Sequence, residues 1–183
     1  MKREEALELL NQNIKKEYLI KHSIAVEAIM RGVASFLGEN IEEWGIVGLL
    51  HDIDFEKTEN SPEKHGILAE EILRERVRED LIKVIKAHNF ENNGTKPEKN
   101  IEKALIAADS VSGLIIATAL VMPSKKLEEV RVESIIKSFK DKTFARRCSR
   151  ERITFCEDIG IQKEKFFEIS LKSLQKIHEE LGL

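Results

Sequence analysis

An all-α fold, a helical bundle with additional helices towards its C-terminal end, is what the sequence predicts, on three observations. Lys, Glu, Leu, Ile and Ala dominate the chain, and all but Ile rank among the better helix formers. Only three prolines interrupt its 183 residues. No run alternates apolar and polar residues with the period of a strand, whereas apolar residues recur at steps of three and four. With 42 % hydrophobic and 34 % charged residues, the composition is that of a folded chain, not a disordered one. The length suits a single domain over residues 1–183, with its core at about 14–121 and the helices of 122–183 packed on it.

The elements follow in order. A first helix is expected near Arg3–Asn13, and a second from about Lys15 to Leu37 with Gly38 as its stop. A third covers about Ile41–Leu50. A polar loop then leads to Ser61-Pro62, where Ser61 can cap and Pro62 can take the first helical position. That helix extends to about Arg76. The next spans about Glu79–Asn89 and ends in the loop NFENNGTKPEKN. A long apolar helix follows from about Lys99 to Val121. After it come shorter, more charged helices at about Val132–Phe139, Arg150–Ile159 and Glu164–Leu181.

Ala104–Met122 has about the length of a membrane span. Asp109 in its middle would cost about 2.5–3.5 kcal/mol at a bilayer centre, so a buried core helix is expected and no membrane partner. The opening MKREEALELL reads as an amphipathic helix, not as a signal peptide. Cys148 and Cys156 form no CxxC and read as free thiols of a reducing compartment, so a cytoplasmic location is expected. A formal net charge of −3 gives no reason to expect a long nucleic acid as partner. Small anionic substrates remain possible, because a local site can be positive on an acidic protein.

The segment LLHDIDFEKTENSPEKHG, residues 49–66, places His51-Asp52 directly after two leucines. A buried ionised group is costly unless it is paired or binds a metal. The other histidines fall in similar settings. His22 shares a helix face with Val26, Ile29, Val33 and Phe36. His65 lines up with Leu68, Ala69 and Ile72, and His88 with Leu81 and Ile85. Asp109 lies on the stripe of Leu105, Ser112 and Ile116. Only His178, in the Glu- and Lys-rich final helix, reads as solvated. Taken singly, each is a hydrogen-bonded core residue or a helix cap. Together they bring four of five histidines and two aspartates inward from five helices. Capping does not explain Asp109 deep in an apolar helix; a shared metal site does.

The order His22, His51-Asp52, His65, His88, Asp109 resembles the HD-domain superfamily of metal-dependent phosphohydrolases over about residues 14–121. LLHDIDFEKT, PEKHG and ALVMPSKKLEEV look like a group of small stand-alone HD proteins regarded as hydrolases. The resemblance implies an HD-domain helical bundle with two divalent ions of Mn, Fe, Co, Ni or Zn, all suited to mixed nitrogen and oxygen ligands. His22, His51, Asp52 and Asp109 would hold the first, and His65 and His88 the second, with Asp52 bridging. Two ions about 3.5–4 Å apart can activate a hydroxide and polarise a phosphoryl oxygen. A phosphoester of a nucleotide or another small phosphorylated metabolite is the implied substrate.

The sequence departs from the family pattern in one place. Many catalytic relatives read HDIGK, with the lysine near the reacting phosphate; here the order is His51-Asp52-Ile53-Asp54-Phe55 and the nearest lysine is Lys57. Asp52 and Lys57 are therefore the catalytic candidates, and Lys57, Lys64, Lys125 and Lys126 the candidate phosphate contacts. Asp54 and Glu56 are either proton relays or residues of a solvated loop, the second being the plainer reading. The GYP extension of some cyclic-dinucleotide phosphodiesterases is absent. So are GxSxG and the P-loop. The same ligands also serve HD-fold di-iron oxygenases such as inositol oxygenase, and a non-catalytic metal- or ligand-binding module would keep them too.

Overall fold

The computed structural model describes every residue, Met1–Leu183. Twelve α-helices and two 3-10 turns make up the fold, with no β-strand. The helices are α1 (Arg3–Asn13), α2 (Glu17–Leu37), α3 (Ile41–Leu50), α4 (Phe55–Thr58), α5 (Ile67–Leu73) and α6 (Glu79–Ala87). They continue as α7 (Phe90–Asn93), α8 (Asn100–Leu120), α9 (Val132–Lys140), α10 (Arg150–Asp158), α11 (Lys163–Gln175) and α12 (His178–Leu181). One apolar cluster runs from Ala6 in α1 to Leu181 in α12.

The two longest helices organise the rest. α2 packs against α3, α8 and α11, and α8 packs against α2, α6 and α10. α3 starts where Asn40 Oδ1 accepts the backbone N–H groups of Glu42 and Glu43 at 3.1 and 3.2 Å, which satisfies two of its unpaired first-turn donors. From Trp44 to Leu50 every residue of α3 is buried, so this helix is enclosed on all sides. Burial of Leu49 and Leu50, both fully enclosed, stabilises the fold by about 1.5–3 kcal/mol each. That burial carries His51 and Asp52 into the centre of the molecule. On the far side of α3, the buried Glu27 carboxylate accepts from Arg3 Nε at 2.8 Å and Arg31 Nε at 2.9 Å. Arg31 also pairs with Glu42, so α1, α2 and α3 are tied together by one charged network. α8 is long and apolar enough to cross a membrane, yet 67 % of its most apolar window is buried inside this fold.

Most expected helices lie within two residues of their observed ends. Two do not. The helix expected from Ser61 to Arg76 is broken: Ser61 makes no side-chain cap, a 3-10 turn covers Pro62–Lys64, and α5 begins only at Ile67. His65 is extended and Gly66 has φ 83°, a left-handed conformation that glycine adopts at little cost. The final helix, expected over Glu164–Leu181, divides into α11 and α12, whereas the segment expected over Glu79–Asn89 ends at Ala87, two residues early. Phe36, expected on the inward face of α2, is 49 % exposed and lies beneath the Lys165 ammonium.

Candidate metal centre

Five elements deliver six side chains to one point. His22 comes from the second turn of α2, His51 and Asp52 from the end of α3, His65 from the hinge before α5, His88 from the end of α6 and Asp109 from the middle of α8. Asp52 is the hub. Its Oδ1 lies 3.4 Å from His51 Nε2, 3.2 Å from His65 Nε2 and 3.4 Å from His88 Nε2. Its Oδ2 lies 3.7 Å from His22 Nε2. Asp109 Oδ1 closes the other side, 3.1 Å from His22 Nε2 and 3.8 Å from His51 Nε2. Two ligand groups of metal-binding size result, His22–His51–Asp52 and Asp52–His65–His88, which share Asp52.

The outer hydrogen bonds determine what each ring presents to this point. His51 Nδ1 donates to Gly48 O at 2.8 Å, and His88 Nδ1 donates to Ile85 O. A carbonyl can only accept, so both Nδ1 atoms carry hydrogen. His65 Nδ1 donates to Asp54 Oδ1 at 2.8 Å, while Asp54 Oδ2 accepts the N–H groups of Gly66 and Ala69 at 2.8 and 2.9 Å. In the neutral rings three Nε2 lone pairs therefore converge on a carboxylate. His65 Nε2 and His88 Nε2 face each other at 2.9 Å, and His51 Nε2 is buried with no hydrogen-bond partner. Acceptors held this close repel unless a cation or a proton stands among them. A divalent ion fits this donor set, because imidazole nitrogen and carboxylate oxygen both suit such ions. The outer partners fix ring orientation as they do at histidine metal sites generally.

The electrostatics agree. Burial alone would raise the Asp52 carboxyl, but the imidazoles of His51, His65 and His88 around it hold it well below the usual range. Burial is likewise overcome at Asp109, by His22 and His51, and its carboxyl is also held well below the usual range. Burial pushes His88 down, towards the neutral form that binds metal. His65 is the reverse: burial lowers it, but Asp52 and Asp54 prevail and raise it to about 10. Without an ion, a proton on His65 offsets part of the negative charge of Asp52 and Asp54.

Asp54 is therefore neither solvated nor a free proton relay. It is fully buried and orients His65. Glu56 accepts the backbone N–H groups of Lys15 and Lys16 at 3.1 and 2.6 Å and so serves the start of α2. The Lys57 ammonium donates to Asn13 Oδ1 at 2.7 Å. Lys64, Lys125 and Lys126 are exposed. None of these four lysines lines the cleft that opens beside His22 and Asp109. A basic residue absent from the sequence expectation does line it: Arg152, from α10. Its Nη2 donates to Asp109 Oδ2 at 3.0 Å and to His88 O at 2.8 Å, and its Nη1 donates to Glu91 at 2.9 Å. Arg152 thus braces one candidate ligand and the backbone of another. Cys148 and Cys156 are free thiols.

The family profile described as the HD domain matches residues 19–117, the stretch that holds all six side chains. Among curated proteins, the chain is similar to Ribonuclease Y of Thermosipho melanesiensis, with 30 % identity over 174 residues that cover 89 % of this chain and 32 % of that protein. It is also similar to Ribonuclease Y of Thermotoga petrophila and of Thermotoga maritima, with 28 % identity over 166 residues, 89 % of this chain and 32 % of each relative. The chain thus spans about a third of the length of these relatives. No solved structure matches it. With six ligand-type side chains gathered inside the matched region, the chain belongs to the HD-domain family.

Proposed function

We propose that the protein is a metal-dependent phosphohydrolase with a binuclear centre, acting on a phosphoester of a nucleotide or another small phosphorylated metabolite. The observation that carries this reading is the position of Asp52. One carboxylate lies within 3.2–3.4 Å of three imidazole Nε2 atoms through Oδ1 and 3.7 Å from a fourth through Oδ2. A carboxylate can serve two ions through its two oxygens, and an imidazole nitrogen cannot readily do so. His22, His51 and Asp109 would then complete one pole, and His65 and His88 the other. When bound, such ions lower the pKa of water and stabilise charge that develops on a phosphoryl group. The chain's own residues do the rest. Asp54, Ile85 and Gly48 hold the rings in their binding tautomer. Arg152 holds Asp109 at the one edge of the cluster that opens outward.

A second reading concerns the ester. The curated relatives matched along this chain are named ribonucleases, which favours a phosphodiester in RNA as the target. The test is a screen of the purified protein against phosphomonoesters, mononucleotides, dinucleotides and short RNA, with each of several divalent metals and beside metal analysis. The proposal expects metal-dependent release of phosphate or of a nucleotide. Cleavage of RNA alone would select the second reading. A metal-loaded protein with no turnover on any phosphoester would contradict both.

A further inference from the structure

The cleft beside the metal ligands has a second wall that the HD match does not include. The cleft measures about 250 Å³, close to the lower end of small-molecule sites. His22 and Asp109 stand on one side, and Arg147, Cys148 and Arg152 on the other. Arg147 and Cys148 belong to the connection between α9 and α10, a segment without regular structure.

That connection is rigidly built. Arg150 donates to six backbone carbonyls: Phe139 through Nε, Ala145 and Cys148 through Nη1, and Ser138, Asp141 and Phe144 through Nη2, at 2.7–3.2 Å. A single planar guanidinium thus gathers the whole loop around itself. The loop reaches over α8 at Gly113, one turn beyond Asp109. A Cβ at Gly113 would lie 2.9 Å from Cys148 Sγ, so the Cys148 side chain rests directly on α8 at this glycine. The result is the presentation of Arg147 at the mouth of the cleft. Unlike Arg152, Arg147 is exposed and makes no ion pair or side-chain hydrogen bond. Arg152 already offsets Asp109 at 3.0 Å, so the charge of Arg147 is left over for a ligand.

We infer that Arg147 binds a second phosphate of the substrate, one linkage away from the phosphoryl group held at the metal centre. Arg150 is the positioning residue that makes this possible. This assignment rests on the phosphohydrolase reading and adds a substrate class to it: molecules with two phosphates. Two sources supply that chemistry, a nucleoside polyphosphate with adjacent phosphates and a nucleic-acid strand with phosphates on either side of a ribose.

The experiment measures binding to the metal-loaded protein by calorimetry, with AMP, ADP and adenosine 3′,5′-bisphosphate as probes. At least one two-phosphate probe is expected to bind about tenfold more tightly than AMP, the size of one charge-assisted contact. Preference for ADP identifies adjacent phosphates, and preference for the bisphosphate identifies a strand. Arg147→Ala should remove most of the gain, and Arg147→Lys, which keeps the charge, should retain part of it. Arg146→Ala, a neighbouring exposed arginine outside the cleft lining, should leave the gain intact. AMP binding without any two-phosphate gain, or a gain that survives Arg147→Ala, would overturn the assignment and leave the metal-centre reading standing. Failure of all three probes to bind the metal-loaded protein would overturn both.

Discussion

The two sides of the Asp52 carboxylate are built by different means. On one side His22, His51 and Asp109 are carried by α2, α3 and α8, helices whose neighbouring residues are buried in the apolar core. On the other side His65 and His88 stand at the ends of short elements and are fixed by polar clamps. Asp54 holds His65 and the two N–H groups after it. Asn89 Nδ2 ties Pro62 O to His65 O at 2.7 and 3.0 Å, and Asn93 Nδ2 ties down Lys86 O at 2.8 Å. The first pole takes its rigidity from close packing, the second from a hydrogen-bond network. Single substitutions should therefore separate them.

The largest stability effect is expected at the first pole. Asp109→Ala leaves His22 and Arg152 without their carboxylate, and breaking such a pair should cost up to about 3 kcal/mol, below the range for fully buried pairs because Asp109 is partly exposed. Thermal or urea unfolding measures the cost, and metal analysis should show the first pole emptied while the protein remains helical. Unchanged stability with unchanged metal content would remove Asp109 from the centre.

A smaller cost, about 1–3 kcal/mol, is expected for Asp54→Asn, which sets an amide N–H against donors that now meet a buried carboxylate. The two poles should then differ: metal binding at the His65–His88 pole should weaken while binding at the other persists. Equal loss from both poles would show that Asp54 supports the whole cluster and not one side of it.

A third effect is one of pH on the metal-free protein. His65 is raised in the folded state to about 10, above its unfolded value of about 6.5. Its contribution to stability is thus complete below about pH 6.5 and is lost as pH rises towards 10. His65→Ala should flatten the fall in stability between those limits. A fall of the same steepness in His65→Ala would place its origin elsewhere.

The same contrast explains what the sequence disclosed. His22 and Asp109 were legible because each interrupts an apolar stripe on a long helix, where local periodicity predicts burial. The limits of α2, α3 and α8 were legible for the same reason. Asp54 was not, since its burial depends on N–H groups 12 and 15 residues away and it stands in a stretch of charged residues. His65 was assigned to a helical stripe with Leu68 and Ile72, whereas the extended backbone at this residue aims its ring. Arg150 and Arg152 were hidden in a charged C-terminal segment. The role of Arg152 comes from the packing of α10 on α8, and that of Arg150 from the folding of the preceding loop around its guanidinium, neither of which a periodic pattern records.

Asp52 joins the two poles, so its substitution strikes both at once. Asp52→Asn keeps size and helix-capping ability but removes the charge that both poles share. Metal content, helicity and phosphoester turnover should be measured together on this variant and the wild type. Retained helicity, weakened binding at both poles and turnover lower by at least about 10² are expected, as for loss of a key electrostatic group in other active sites. Wild-type metal content together with wild-type turnover would contradict the bridging role of Asp52.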